Sequence, residues 1–415
     1  MFRIKPKLLI FLGSFLIVLY GMSAAFYADD DAYKELSVFI NVIKRIRADY
    51  VEDPNMNNVQ EGAMRGLLNA LDPYSSFLSK EQYDALQKQK ENSQAGVGAS
   101  FSKRSDMVYV VSCERDGPAD AAGIRPGDYL IAVDGKGVED KSLLEVESLL
   151  RGAKGSKLKL TIFRSLKAKS LDVEITRSDP SAVPINSRML DGKVGFLDVS
   201  SLAGSAIEQA KVKLKTLISA GAEKIIMDLR DCAEGPVSNG ADLANYFLRK
   251  GMIFYSQNKQ GEKILIVEAN PEKFITDLPL AVLINGSTAG AAEIVAGALK
   301  DQNRATIIGE KSFGQGSSQK TIQLKSGAVL IISTAKYYTP GGRVIQNETL
   351  RDAGIAPDVE APDDDLRQDL VVESYYDDQE DTAKYRQLQE KIDKLQVDKA
   401  LEILLQKSTP LKKAA

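Results

Sequence analysis

The chain has 415 residues, a formal net charge of −3, 44% apolar and 27% charged residues, two cysteines and no histidine. That is an ordinary globular balance, long enough for two or three domains, and its charge argues against a nucleic-acid partner. The absence of histidine excludes a Ser-His-Asp triad within the chain, and Cys113 and Cys232, in different predicted domains, offer neither a transition-metal cluster nor an expected disulfide, so no metal or cofactor is expected.

Arg3, Lys5 and Lys7 precede an apolar run over 8–28, and Asp29, Asp30 and Asp31 follow it. The cationic flank stays on the cytoplasmic side, so the remainder is expected to be exported. A run of about 20 residues is long enough to span a bilayer. Ser23, Ala24 and Ala25 equally fit a signal cleavage site. Segment 1–28 is therefore an anchor or a cleaved signal. Either way the chain is expected in a bacterial-type envelope, tethered to the inner membrane and facing the periplasm or extracytoplasmic space, or secreted there.

Segment 29–93 is predicted to be helical. Leu36, Phe39, Ile40, Val42, Ile43 and Ile46 have helical spacing over 33–50, and a second helix is predicted over 60–71. Asp72-Pro73 stops it, and Tyr74-Ser75-Ser76-Phe77-Leu78 follows.

Segment 94–177 opens with Gly96-Val97-Gly98-Ala99 and continues with Gly117-Pro118-Ala119-Asp120-Ala121-Ala122-Gly123-Ile124 and Arg125-Pro126-Gly127-Asp128. Asp134-Gly135 marks a hairpin turn, 142–150 has helical spacing, and 158–163 alternates as a strand. The whole pattern resembles a PDZ domain. The resemblance makes Gly96, Val97, Gly98 and Ala99 the loop whose backbone N–H groups receive a peptide's terminal carboxylate, with the 142–150 helix beside the peptide groove.

Segment 178–363 alternates. Strands are predicted over 193–199, 224–229, 280–284 and 305–308, with helices over 204–220, 236–249 and 293–300, which argues an α/β sheet. A hairpin is predicted over 321–324 and 328–334, turning at Ser326-Gly327. Tyr337-Tyr338-Thr339-Pro340-Gly341-Gly342-Arg343 and Gly354-Ile355-Ala356-Pro357-Asp358 come after it. Segment 364–415 begins as an acidic linker. It then carries Tyr385, Leu388, Ile392, Leu395, Val397, Ala400, Leu401 and Leu404 at helical spacing. Such a helix packs on its own core or on a partner subunit.

The stretch 285–319 resembles the active-site frame of the carboxyl-terminal processing, or tail-specific, serine peptidases. Asn285, Thr288, Ala289, Ala291, Glu293, Ile294, Gly297, Ala298 and Asp301 fall on the first half of that frame. Gly309, Glu310, Phe313, Gly314, Gly316 and Gln319 fall on the second. The segments at Asp72–Leu78, Tyr337 and Gly354 carry further marks of the family, so the resemblance covers nearly all of 33–362. It implies a peptidase core of α/β (α+β) type, tail-specific protease and crotonase-like, with an inserted PDZ domain and helical terminal segments. In the family a serine attacks the peptide and a lysine is its general base. Here those positions are Gly290 and Gln315.

Glycine has no nucleophile, and glutamine no basicity to activate one. The family's oxyanion turn appears as Asp228-Leu229-Arg230-Asp231-Cys232-Ala233-Glu234-Gly235, where Glu234 replaces a glycine. The expected oxyanion positions are Ala291, Gly235 and Glu234, and a carboxylate there would repel a developing oxyanion. Gln319 is a retained neighbour. Three functions fit: a catalytically inactive regulator that binds polypeptide C-termini, with an active relative or a second copy as partner; a working serine peptidase with displaced groups, drawn from Ser287 or Thr288 and Lys311 or Lys320; or a scaffold whose PDZ domain is only structural.

Overall fold

The computed structural model describes residues 30–92, 95–104, 107–164, 169–179, 185–347, 352–362 and 382–406. The expected anchor or signal over 1–28 lies outside the described residues. Among the described residues no helix is long and apolar enough to cross a membrane.

The chain divides into two compact units at Met64 and Arg65. The first holds α1 (Asp30–Asp49) and the start of α2 (Met56–Asn69). Leu36, Val38, Phe39, Ile40 and Val42 of α1 are exposed.

The second unit holds three sheets. After β1 (Ser76–Leu78) and α3 (Lys80–Asn92), the PDZ-like segment forms an antiparallel sheet. Its strands are β2 (Ala99–Arg104), β3 (Met107–Cys113), β4 (Tyr129–Val133), β5 (Lys136–Gly137), β6 (Lys157–Arg164) and β7 (Lys169–Thr176), in the order β2-β3-β4-β6-β7 with β5 beside β4. α4 (Pro118–Ala121) and α5 (Leu143–Leu150) complete it. Alternation drives the packing, since Leu158, Leu160 and Ile162 of β6 point into the core. On the outer face Lys157 and Lys159 meet Glu174 and Asp172 of β7. Ser142 caps α5 through a reciprocal box with Glu145.

The central sheet runs β17-β14-β13-β10-β9-β8. Its strands are β8 (Asn186–Leu190), β9 (Val194–Asp198), β10 (Lys224–Asp228), β13 (Leu280–Ile284), β14 (Ala305–Gly309) and β17 (Val359–Glu360). All its pairings are parallel except that of β8 with β9. Parallel strands are covered on both faces, and alternate residues divide accordingly. Ile225, Met227, Val282 and Ile284 face α6 (Ala206–Ser219), α7 (Val237–Asn245) and α8 (Ala291–Asp301) in the main core. Phe196, Ile226, Ala281, Leu283 and Ile308 face Ala400 and Leu404 of α9 (Thr382–Gln406). Of the two placements open to the C-terminal helix, it takes its own core.

The third sheet runs β1-β16-β11-β12, with β15 also pairing β16. Here β11 is Met252–Asn258, β12 Lys263–Glu268, β15 Ser317–Gln323 and β16 Val329–Tyr338. Three local differences from the sequence expectation have physical causes. α7 stops at Asn245 instead of running to 249, because the Asn245 amide turns to the Leu248 and Asn270 carbonyls. The hairpin arms are longer than expected because every residue from 317 to 323 finds a partner on β16. The β11–β12 hairpin has no sequence signature, since Ile264, Leu265 and Ile266 form an exposed apolar run without alternation.

Candidate active site

The turn between β13 and α8 is stitched from beneath. Asn285 accepts the Asp231 N–H at 3.0 Å and donates its amide to the Asp231 carboxylate at 2.8 Å. The Thr288 hydroxyl, fully buried, donates to the Leu229 carbonyl at 2.8 Å, and the Ala289 N–H donates to the Cys232 carbonyl at 3.0 Å. These bonds aim the turn so that Gly290 stands at the N-terminus of α8 with φ +58° and ψ −114°. An L-residue at such a φ is strained. A Cβ built on Gly290 would lie 3.9 Å from the amide carbon and oxygen of Gln315. The fold thus brings the expected nucleophile and base positions face to face.

Glu293 holds that arrangement. Its buried carboxylate accepts four hydrogen bonds: Ser312 Oγ at 2.5 Å, the Gly314 N–H at 2.7 Å, the Gln315 N–H at 2.7 Å and the Gly290 N–H at 3.0 Å. One side chain therefore fixes both halves of the site. Burial pushes its pKa up to about 7, against the four bonds, which pull it down. Neither Glu293 nor Ser312 stood among the sequence-predicted site residues. The available signal was the spacing of Glu293 three residues after the N-cap, which is that of a capping box.

The other predicted residues fall elsewhere. Gly235 has φ +125°, and a Cβ there would come within 2.4 Å of the Leu202 backbone, so only glycine fits. Half-buried Glu234, in the 228–235 turn, does not stand alone. Its electrostatic neighbours are Arg151 and Glu114, both from the PDZ-like domain. Ala291 opens α8 next to Gly290. Gln319 lies on β15, where its amide donates to Ser317 Oγ at 2.8 Å and Ser333 Oγ at 3.2 Å. Of the substitutes, Thr288 has its hydroxyl engaged by a carbonyl. Ser287 lines a cavity of about 490 Å³ whose wall includes Arg115, Asp231, Glu310, Arg386 and Asp393 but no lysine.

In the loop that starts β2, the Gly96 N–H is taken by the Ser178 carbonyl at 2.8 Å, while the Val97 and Gly98 carbonyls accept from Ala119 and Glu114. β2 is an edge strand beside α5, and Tyr74 packs onto the same core with Ser102 of β2 and Glu147 of α5 as neighbours. Beneath the loop lies Glu114, 3% exposed, with no hydrogen-bond partner among the described residues for either carboxylate oxygen. One of those oxygens is 3.1 Å from a Cβ built on Gly98. Burial first, and the charge of Glu234 second, push its pKa up to about 8. The expected carboxylate-receiving loop therefore has a buried acid as its floor.

Two arginines bind three parts of the unit together. Arg230 forks onto Asp228 and reaches Asp393 Oδ1 and Gln396 Oε1 of α9, each at 2.8 Å. Arg115, just past β3, lies 3.3 Å from Asp231, 3.7 Å from Asp393, 3.9 Å from Asp198 and 4.0 Å from Asp228. A cavity of about 840 Å³ opens between the end of β2, the segment after α2 and the third sheet. Phe313, Gly314 and Ser317, which flank Gln315, form part of its wall.

Comparison with known proteins gives the same architecture. Residues 193–361 match the model of peptidase family S41, and residues 95–175 match that of the PDZ domain. The chain is 32% identical over 354 residues to a carboxy-terminal-processing protease of Bartonella bacilliformis, covering 84% of this chain and 80% of the relative. It is 31% identical over 321 residues to a probable CtpA-like serine protease of Staphylococcus aureus, covering 77% of this chain and 63% of that one. Among solved structures it resembles the photosystem II D1 C-terminal processing protease, with 26% identity and a TM-score of 0.64 over 77% of this chain and 86% of that chain. The chain belongs to the carboxy-terminal-processing proteases of peptidase family S41.

Proposed function

We propose that this chain is a non-cleaving member of its family, which binds polypeptide segments, C-termini among them, as a regulator or scaffold in the cell envelope. The observation that carries this is the Gly290–Gln315 gap. Two side-chain positions face each other at 3.9 Å, one without a side chain and the other with an amide. Neither supplies a nucleophile or a proton acceptor of useful basicity. Acyl transfer needs both as a unit, so the loss of either removes most of the rate. What remains serves binding: the β2 edge beside α5, the large cavity and the PDZ–core contact. The partner is an active relative or a second copy, with the 1–28 segment as membrane tether.

The test is product formation, followed by mass spectrometry, from an unstructured protein with an apolar tail. The unmodified full chain is expected to give no more product than buffer. Gly290→Ser alone is expected to stay silent for want of a base. Gly290→Ser with Gln315→Lys is expected to regain a trace, since Glu293 still positions both residues. Cleavage by the unmodified chain that disappears with Ser287→Ala or Thr288→Ala would overturn the proposal.

A further inference from the structure

The large cavity is charged in one sense. Lys103, Arg104, Lys259 and Lys336 line it, and Asp72 is the single acid among the described residues of its wall. Asp72 is already committed, because its carboxylate accepts from the Tyr74 N–H at 2.8 Å, the Ser75 N–H at 2.9 Å and the Ser75 hydroxyl at 2.9 Å. Lys103 donates to the carbonyls of Glu139 and Lys141, which holds its charge at the end of β2. Among the described residues Arg104, Lys259 and Lys336 make no ion pair, although ion pairs are common elsewhere on the molecule. Cations lining one cavity repel one another, and an anion between them relieves that repulsion.

The shape narrows the class of anion. The cavity, about 840 Å³, is bounded on one side by the last residues of an edge strand, Ser102, Lys103 and Arg104. An extended polypeptide can pair with such an edge, whereas a compact anion cannot use it. Tyr109 and Phe313, with ring centroids 6.3 Å apart, belong to the wall and give apolar surface for the stems of a peptide's side chains. Phe313, Gly314 and Ser317, on either side of Gln315, also line the cavity, so a chain lying here passes beside the Gly290–Gln315 gap.

We propose that this cavity binds an acidic stretch of a polypeptide, with Arg104, Lys259 and Lys336 as the groups that select its charge. This rests on the polypeptide-binding function above and adds the ligand's chemical class. The charge-selecting residues come from three separate segments: the end of β2, the β11–β12 turn and β16. Selection therefore requires the PDZ domain and the core to be in place together.

The probe is a rhodamine-labelled peptide of about twelve residues that alternates Asp and Glu with Gly and Ser. Its C-terminus is an amide, so capture of a terminal carboxylate by the Gly98 loop does not contribute. Binding to the full chain is read by fluorescence anisotropy at low and at moderate salt. The acidic peptide is expected to bind about tenfold or more tighter than its Asn/Gln counterpart, with the difference shrinking as salt screens it. Arg104→Ser with Lys259→Ser and Lys336→Ser is expected to lose that preference while keeping its circular dichroism. The milder pair Lys259→Gln with Lys336→Gln should lose part of it. Equal binding of the acidic and neutral peptides would overturn the proposal, as would undiminished preference in the triple variant or tighter binding of a Lys-bearing peptide. Mass spectrometry of the same samples separates the two claims. Cleavage of the bound probe would sink the non-cleaving function and leave the charge selection standing. An intact probe with no charge preference would sink only the selection.

Discussion

Glu114 and Glu234 are two acids brought together from different domains, and their energies depend on pH in a definite direction. Glu114 has a folded-state pKa of about 8, against 4.5 for an unperturbed carboxyl. Between those values the folded chain holds a proton that the unfolded chain releases. Stability from this group is therefore fully present below the unfolded value and is lost as pH rises toward the folded one. Glu114→Gln removes the titration, so the variant should gain thermal stability relative to the unmodified chain at pH 9 and show no gain at pH 5. The gain at pH 9 is expected to be several degrees, at about 2–4 °C for each kcal/mol recovered. Parallel melting curves across that range would refute the assignment. The pair Gly290 and Gln315 was legible in the sequence because each sits inside a dense local motif. The Glu114–Glu234 contact was not, because neither residue lies in a pattern that names the other. Glu293 was half legible: its spacing from the helix start marks a cap, but nothing in the sequence says that the same carboxylate also holds the 312–315 loop.

At the scale of elements, α9 covers one whole face of the central sheet through a few side chains. Leu404 is 2% exposed and belongs to the apolar cluster that includes Val194, Phe196 and Ile308. Leu404→Ala leaves a cavity that the flat sheet cannot fill, and is expected to cost about 2–4 kcal/mol in denaturant unfolding. A cost near zero would mean that α9 is not docked in solution. The sequence held half of this result. The apolar stripe of α9 could be read, but not whether it met its own chain or another. The deciding signal was in the strands: the unbroken apolar runs Ile225-Ile226-Met227 and Leu280–Ile284 demand cover on both faces. The predicted helices could supply only one layer. By contrast, β11 and β12 escaped prediction because their residues follow no period, and their pairing with β16 is a tertiary choice.

Across the whole second unit, Arg115 is the point where the PDZ domain, the core and α9 meet. Its guanidinium faces Asp198, Asp228, Asp231 and Asp393; Arg230 shares the work at Asp228 and Asp393, and Arg188 adds its charge at Asp198. Removing it leaves Asp228 and Asp393 to Arg230 and takes from Asp231 its ion pair. Arg115→Ala is expected to cost about 1–3 kcal/mol, less than a fully buried pair because Arg115 is partly exposed. The loss should appear as faster amide hydrogen exchange in three separate places: residues 112–116 after β3, the 228–235 turn and the middle of α9. Faster exchange confined to the PDZ segment would show that Arg115 holds only its own loop. The same geometry ties the proposed charge selection to the assembled unit rather than to any one domain.

The position of α9 in the chain also sets an order of events during synthesis. Strands β9, β10, β13 and β14 are complete by Gly309, yet the cluster on the face made by Phe196, Ile226, Ala281 and Leu283 also takes in Ala361, Ala400 and Leu404, which come later in the chain. A chain emerging from its N-terminus therefore carries a bare apolar sheet face for the time needed to deliver nearly a hundred further residues, at roughly 5–20 residues per second. Docking of α9 covers that face. A nascent or truncated chain that stops short of it displays one broad sticky surface, and the finished chain withdraws that surface in a single docking step.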